Sequence, residues 1–241
     1  MPKREQRIVL VTGANKGIGF EVARQLARKN FHVFLGARNV NAGRVAAEKL
    51  RAESEGEKQP NNVEFLEIDV SESDSVRRAA EEFSKHADHL DVLVNNAGII
   101  VDGDEDVLKI SDEILETTLR TNTIGPLIVA QAFVPFLKKS KAPRIVNVSS
   151  SGGQLADGAD GWAPAYCISK TALNGVTSQL AAALPDFAIN SVCPGWVRTD
   201  MGGANATLSV GEGAHGIVWL AAEAPQKETG KFWRDKKVIP W

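Results

Sequence analysis

The sequence predicts an α/β fold: a doubly wound parallel sheet of about seven strands with helices on both faces. Three observations carry this. Short β-branched runs, apolar throughout, alternate with longer segments whose apolar residues fall three and four apart. That is the pattern of strands covered on both faces by crossover helices. The first run passes at once into a glycine-rich turn that opens a helix. No repeat, low-complexity tract or linker divides the 241 residues, a length that can bury one sizeable core without disulfides or metals. A single domain over residues 1–241 is expected, its first half about 1–150 and its second about 151–241. Right-handed crossovers make the doubly wound order the default.

The elements follow in order. Ile8–Val11 is the first strand, and the stretch Thr12-Gly13-Ala14-Asn15-Lys16-Gly17-Ile18-Gly19 leads into a helix running to about Lys29, with Val22 and Leu26 on one face. Phe31–Leu35 is the second strand, and Val45–Leu50 marks the helix behind it. The loop-rich segment Gly56–Asn62 precedes strand Val63–Ile68, after which Ser71 and Asp74 are placed to cap the next helix. Val92–Val94 and Arg144–Val148 are further strands. Gly152-Gly153 and Asp157–Gly161 read as a flexible stretch, and Ala188–Cys193 is the last strand run.

Composition narrows the function classes. With 43% apolar, 24% charged and 6% aromatic residues the chain is an ordinary globular sequence. Twenty-eight basic against 30 acidic residues, a formal net charge of −2, provide no electrostatic footprint for nucleic acid and no polybasic handle for membranes. The charged start Met1–Arg7 runs into a strand too short for a signal peptide, and no apolar run approaches the roughly 20 residues of a membrane span. Cys167 and Cys193 make no disulfide framework, so a cytoplasmic location is expected. His32, His86, His89 and His215 stand at no metal-ligand spacing, and no metal site is expected.

The glycine turn has a physical reading. A pyrophosphate approaches backbone N–H groups at a helix N-terminus, where Cβ atoms would obstruct it. Gly13 permits the tight turn, Gly17 the close approach and Gly19 the packing of helix on strand. At the end of the second strand Ala37 stands where a carboxylate for ribose hydroxyls would be expected, and Arg38 follows it. A guanidinium binds a 2′-phosphate that a carboxylate would repel, and Lys16 is a second cation at the same end.

Tyr166, the only tyrosine, and Lys170 are four residues apart, which on a helix puts them side by side. An ammonium about 4 Å from the phenol, at an effective dielectric of about 20, is worth roughly 4 kcal/mol, or about three pKa units. That would bring the phenol near neutrality, where general acid–base catalysis is most efficient. Pro126, four residues after Asn122, has no N–H to pair the Asn122 carbonyl in a helical ladder, which leaves that oxygen free to hold a water or to meet another group at a simple kink.

With Thr12 before Gly-x-x-x-Gly-x-Gly, and with Asn95-Asn96-Ala97-Gly98, Tyr166-x-x-x-Lys170 and Pro194-Gly195-Trp196-Val197-Arg198-Thr199 in that order, the chain resembles the classical short-chain dehydrogenase/reductase family over most of its length. Asn15-Lys16 and the ending Phe232–Lys237 look like its carbonyl-reductase group. The resemblance implies a Rossmann-type oxidoreductase that reduces ketones or aldehydes with NADP(H). Asn122, Ser150, Tyr166 and Lys170 would form the catalytic set, with Ser149 as the alternative serine. Gly13, Asn15, Lys16, Gly17, Ile18, Gly19, Arg38, Asp69, Val70, Asn95, Ala97, Gly98, Tyr166, Lys170, Pro194, Gly195, Val197 and Thr199 would hold the cofactor. Asp69 can equally be a turn or cap residue. Trp162 and Trp196 are candidates for the walls of an apolar pocket or for packing, beside a short segment after Thr199 that would leave the site open. The rivals are an NADP-dependent alcohol or hydroxysteroid-type dehydrogenase with a narrow substrate, and a non-catalytic NADPH sensor on the same fold. Monomer and homo-oligomer both remain open, since Leu127, Val129, Phe133 and Phe136 suit a core or an interface.

Overall fold

The computed structural model describes residues 6–55, 60–156 and 158–241. Met1–Glu5, Gly56–Gln59 and Asp157, and the readings that rest on them, lie outside the described residues. The chain builds β1 (Ile8–Val11), α1 (Gly17–Arg28), β2 (His32–Ala37), α2 (Val40–Ala52), β3 (Asn62–Glu67), α3 (Ser73–Phe83) and β4 (Val92–Asn95). It continues with α4 (Asp112–Leu119), α5 (Gly125–Leu137), β5 (Arg144–Val148), α6 (Pro164–Ala183), β6 (Ala188–Val192), α7 (Val210–Ala222), β7 (Lys231–Arg234) and β8 (Lys237–Ile239).

The strands form one sheet in the order β3-β2-β1-β4-β5-β6-β7-β8. β1 to β7 are parallel neighbours, as expected, whereas β8 returns antiparallel along β7. The expectation of about seven parallel strands holds for β1 to β7, and β8 adds one antiparallel edge strand beside them. Its turn, Asp235-Lys236, has both residues at positive φ (49° and 60°), the backbone of a tight hairpin. Without the usual Asn-Gly or Asp-Gly pair, the sequence does not advertise it.

Strand apolarity on both faces has its reason in the two cores. Val9 and Val11 of β1 face Val22 and Leu26 of α1 and Ile217 and Leu220 of α7. Ile8 and Leu10 face the other way, toward Val76 and Phe83 of α3 and Val129 and Phe133 of α5. Val129 and Phe133 are thus core residues, while Leu127 and Phe136 are half-buried. The N-cap of α3 is Glu72, without a side-chain cap bond, so neither Ser71 nor Asp74 caps it. Ser71 bonds Asp69 instead, and Asp74 lies in the first turn.

After β1 the order runs outward through β2 and β3, then restarts on the other side of β1 with β4. The crevice at the carboxyl ends of β1 and β4 is this reversal point, where open parallel sheets place their sites.

Candidate active site

The glycine turn lies at that crevice. Gly13 has φ +62°, and a Cβ there would stand 2.8 Å from the Ala97 Cα. The turn is clamped from β4: Asn96 Nδ2 donates to the Thr12 and Gly13 carbonyls (2.9 and 3.1 Å), and Thr12 Oγ1 accepts from the Asn96 and Ala97 N–H groups. Gly19 packs against the Asn96 side chain and the Gly13 carbonyl, so it seats the start of α1 on the turn and on the segment after β4 rather than on a strand. The N-termini of α2, α4 and α7 are closed by Asn39, Ser111 and Ser209. By contrast α1 opens on Lys16 with no side-chain cap and no acid in its first turn. Its N–H groups have no side-chain acceptor and form the sort of anion site that a pyrophosphate fits.

The other candidate cofactor residues divide. Gly98, Val197, Thr199, Pro194, Gly195, Asn15 and Val70 lie on the turn itself or on the loops after β3, β4 and β6, and Ile18 in the first turn of α1, at the same end of the sheet. Thr199 Cγ2 lies 3.5 Å from where a Gly17 Cβ would be, so the loop after β6 meets the glycine turn. Arg38 is exposed and makes no ion pair among the described residues, whereas Lys16 Nζ is paired with Asp200 at 2.6 Å. Asp69 takes its turn role: Oδ1 accepts from Ser71 N–H (3.0 Å) and Ser71 Oγ (2.6 Å). The Asn95 side chain, at the carboxyl end of β4, is buried and donates to Asn147 Oδ1 (2.9 Å) and the Pro126 carbonyl (3.3 Å). The cause is register, because Asn95 and Asn147 are direct partners on β4 and β5.

Asn122, Ser150, Tyr166 and Lys170 come together. Tyr166 and Lys170 share the buried face of α6, with Nζ 5.5 Å from the ring centroid. A Cβ on Gly98 would lie 3.4 Å from both Lys170 Nζ and Asn122 Oδ1, so these two side chains converge on the Gly98 backbone. Asn122 sits in a wide π-type turn, Arg120–Ile124, in which Gly125 N–H donates to the Arg120 carbonyl five residues back. This turn, rather than a simple proline kink, is what accommodates Pro126. Both ends of the Asn122 amide pair with Ile99: Oδ1 accepts from its N–H (2.8 Å) and Nδ2 donates to its carbonyl (2.9 Å).

Of the two serines, Ser149 is buried with Oγ donating to the Lys170 carbonyl (3.3 Å), while the Ser150 side chain acts on the Tyr166 phenol. Gly152 and Gly153 are not a flexible stretch. They belong to a short 3-10 turn, Ser151–Gly153, seated against Cys167 and Lys170 of α6.

The expected electrostatics are corrected too. Burial pushes the Tyr166 phenol up to about 12, with Ser150 opposing the shift, and pulls Lys170 down to about 8. The ammonium does not depress the phenol as anticipated, because it points at the Val148 carbonyl (2.8 Å) and desolvation outweighs a charge at that distance. The phenol therefore keeps its proton through the neutral range. Trp162 is 56% exposed with its ring edge-on to Tyr166 at 5.8 Å, and Trp196 is 55% exposed, so neither is a core packing residue.

One contact had no signal in the sequence. Asp104, in the loop after β4, is buried, and its carboxylate accepts from Ala165 N–H (2.8 Å) and Tyr166 N–H (2.9 Å). The partners are backbone groups more than sixty positions away, so no residue pattern marks the pairing.

Comparison with known proteins agrees with this architecture. The family model for short chain dehydrogenases matches residues 7–207. The chain is 36% identical to (+)-neomenthol dehydrogenase of Arabidopsis thaliana over 99% of both chains, in an alignment of 296 positions, so that relative carries segments this 241-residue chain lacks. It is 34% identical to carbonyl reductase (NADPH) 1 of Mus musculus, over 97% of this chain and 98% of the other. The structure of NADPH-bound carbonyl reductase from chicken fatty liver superposes with a TM-score of 0.86 at 30% identity, over 99% of this chain and all of that one. With its sheet order, its glycine turn and this match over most of its length, the chain belongs to the short chain dehydrogenase family.

Proposed function

We propose that this protein reduces ketone or aldehyde carbonyls to alcohols with NADPH, with Tyr166 as the general acid. The observation that carries the reading is the convergence of four side chains, Asn122 and Lys170 at Gly98, Lys170 beside the Tyr166 ring and Ser150 on the Tyr166 phenol, together with an uncapped helix N-terminus. When bound, the nicotinamide cofactor supplies the hydride. Gly17 leaves room for its pyrophosphate at α1, Gly13 and Gly19 let the turn pack against Ala97 and Asn96, and Arg38 is the cation available to a 2′-phosphate, with Lys16 reaching it on leaving Asp200. Asn15, Ile18, Val70, Ala97, Pro194, Gly195, Val197 and Thr199 would flank the cofactor, and Asp69 would reach it only through atoms its turn does not use.

Ser150 Oγ steadies the substrate oxygen and Tyr166 releases its proton to that oxygen as the alcohol forms. Lys170, cationic below about pH 8, stabilises the phenolate left behind. Asn122 secures the neighbouring loop through Ile99. In this reading the chain works as one unit in a reducing, cytoplasmic setting, its first half holding the cofactor and its second half most of the chemistry. A dehydrogenase with one narrow substrate is the second reading, favoured by the wide range of single-substrate names among its relatives.

The test is oxidation of NADPH and NADH with a panel of aromatic ketones, diketones and quinones. Wild type is expected to use NADPH, and Tyr166→Phe to lose about 10²- to 10⁴-fold in turnover. Arg38→Ala should weaken NADPH by about 10- to 100-fold, the loss of a charge-assisted contact, while leaving NADH unchanged. Equal use of both cofactors by the wild type would remove the role given to Arg38. A Tyr166→Phe enzyme of full activity would remove the mechanism.

A further inference from the structure

The first turn of α6, which carries Tyr166, cannot close itself. Its N-cap is Ala163, which has no side-chain acceptor, and the turn holds no acidic residue. Ala163 is also left-handed (φ 42°, ψ 64°) immediately before Pro164, a conformation that costs energy unless its surroundings hold it. Pro164 has no N–H, so the donors left at the start of the helix are those of Ala165 and Tyr166. Both go to the two oxygens of Asp104, at 2.8 and 2.9 Å. These are the second and third helical positions, the N–H groups that an N-cap side chain ordinarily satisfies.

The loop that carries Asp104 is itself tied down at its other end. Ile99 is paired through both backbone groups with the Asn122 amide. The segment Ile99–Asp104 is thus a strut with Asn122 at one end and the Tyr166 backbone at the other.

We propose that Asp104 is a positioning residue for Tyr166: its buried carboxylate, reaching across from the loop after β4, caps α6 and sets where the phenol stands relative to Ser150 and Lys170. This rests on the reading of Tyr166 as the proton donor. Asp104 touches no reacting atom and acts through the helix start. A carboxylate is needed because both partners are donors. An amide at the same place would turn its NH₂ toward one of them, keep a single bond and let the first turn tilt.

Asp104→Asn is the decisive variant. It is nearly isosteric, and it should lower kcat by about 10- to 100-fold through misplacement of the phenol, with the NADPH dissociation constant little changed and the unfolding midpoint lowered only by what one unpaired N–H costs. Tyr166 is the only tyrosine, so ring-¹³C-labelled tyrosine yields one resonance, which should shift or broaden in the variant with NADPH binding intact. Unchanged kcat with an unchanged resonance would overturn the proposal. So would a parallel fall of kcat, cofactor affinity and unfolding midpoint, which would mean a general loss of structure. Should Asp104→Asn not fold, Asp104→Glu is read in the same way, since it keeps both acceptors but moves them out by one methylene. If the wild type reduces no carbonyl, the functional reading fails, and the tyrosine resonance still decides whether Asp104 positions the ring.

Discussion

Lys170 is an ammonium sealed inside the protein, held by the Val148 carbonyl and pulled by burial to a pKa of about 8 from an ordinary 10.5. The sign of its effect on stability follows. Between about pH 8 and 10.5 the unfolded chain binds the proton and the folded chain does not, so this group's contribution to stability rises with pH across that window. Below about pH 8 the fold bears the whole difference, of order 3 kcal/mol at about 1.4 kcal/mol per unit. Lys170→Met, which loses one hydrogen bond but no longer encloses a charge, should therefore be about 1–3 kcal/mol more stable than wild type at pH 7 while losing turnover. Urea unfolding at pH 7 and pH 10 checks it: the advantage should shrink at the higher pH, and a variant less stable at pH 7 would mean that the lysine is retained for stability. At this scale the sequence showed Tyr166 and Lys170 plainly, because their partnership is a helical spacing. It could not show the pKa directions, which depend on how completely the rest of the chain encloses them, nor Asp104, whose partners are main-chain N–H groups.

Among the elements, legibility follows the range of the interaction that shapes each one. β1, its glycine turn and α1 are readable because strand period, steric allowance and helix start lie within some twenty consecutive residues. The π-type turn at Arg120–Ile124 is not, although Pro126 marks a break nearby: a proline says that a ladder bond is missing, not how the backbone accommodates the gap. The Ser151–Gly153 turn is similar. Its two glycines look like flexibility, but what calls for them is the surface of α6, where side chains would run into Cys167 and Lys170. The π-type turn is tied to the loop after β4 by its own Asn122 amide, which satisfies both backbone groups of Ile99. Asn122→Ala would leave that N–H and carbonyl unpaired in a part-buried place, at a cost of about 2–4 kcal/mol. Chemical denaturation measures this directly. A cost below about 1 kcal/mol would show that water takes over both bonds and that the turn does not depend on the amide.

Across the whole molecule, β7 and β8 close the far edge of the sheet, yet they brace β6, whose following loop meets the glycine turn. β7 sets Trp233 against Trp219 of α7 at 5.1 Å, and its indole N–H donates to Asn190 Oδ1 on β6 at 3.0 Å. The Trp233 carbonyl accepts from Cys193 N–H at 2.8 Å, immediately before the Pro194-Gly195 turn that starts the loop carrying Thr199 and Asp200. The core shared by β1, α1 and α7 includes this same tryptophan, so the glycine turn and the far edge of the sheet rest on one continuous packing unit. Trp233→Ala should therefore cost about 3–5 kcal/mol, a large share of the roughly 5–15 kcal/mol that holds a domain together. Its loss should also be felt as one transition rather than as local fraying. Far-ultraviolet circular dichroism and NADPH binding, followed through the same urea titration, are expected to fall together at a lower midpoint. If binding failed well before the helices and strands melted, the loop after β6 would be a separately unfolding unit, and the dependence of the site on the last strands would be local to Cys193.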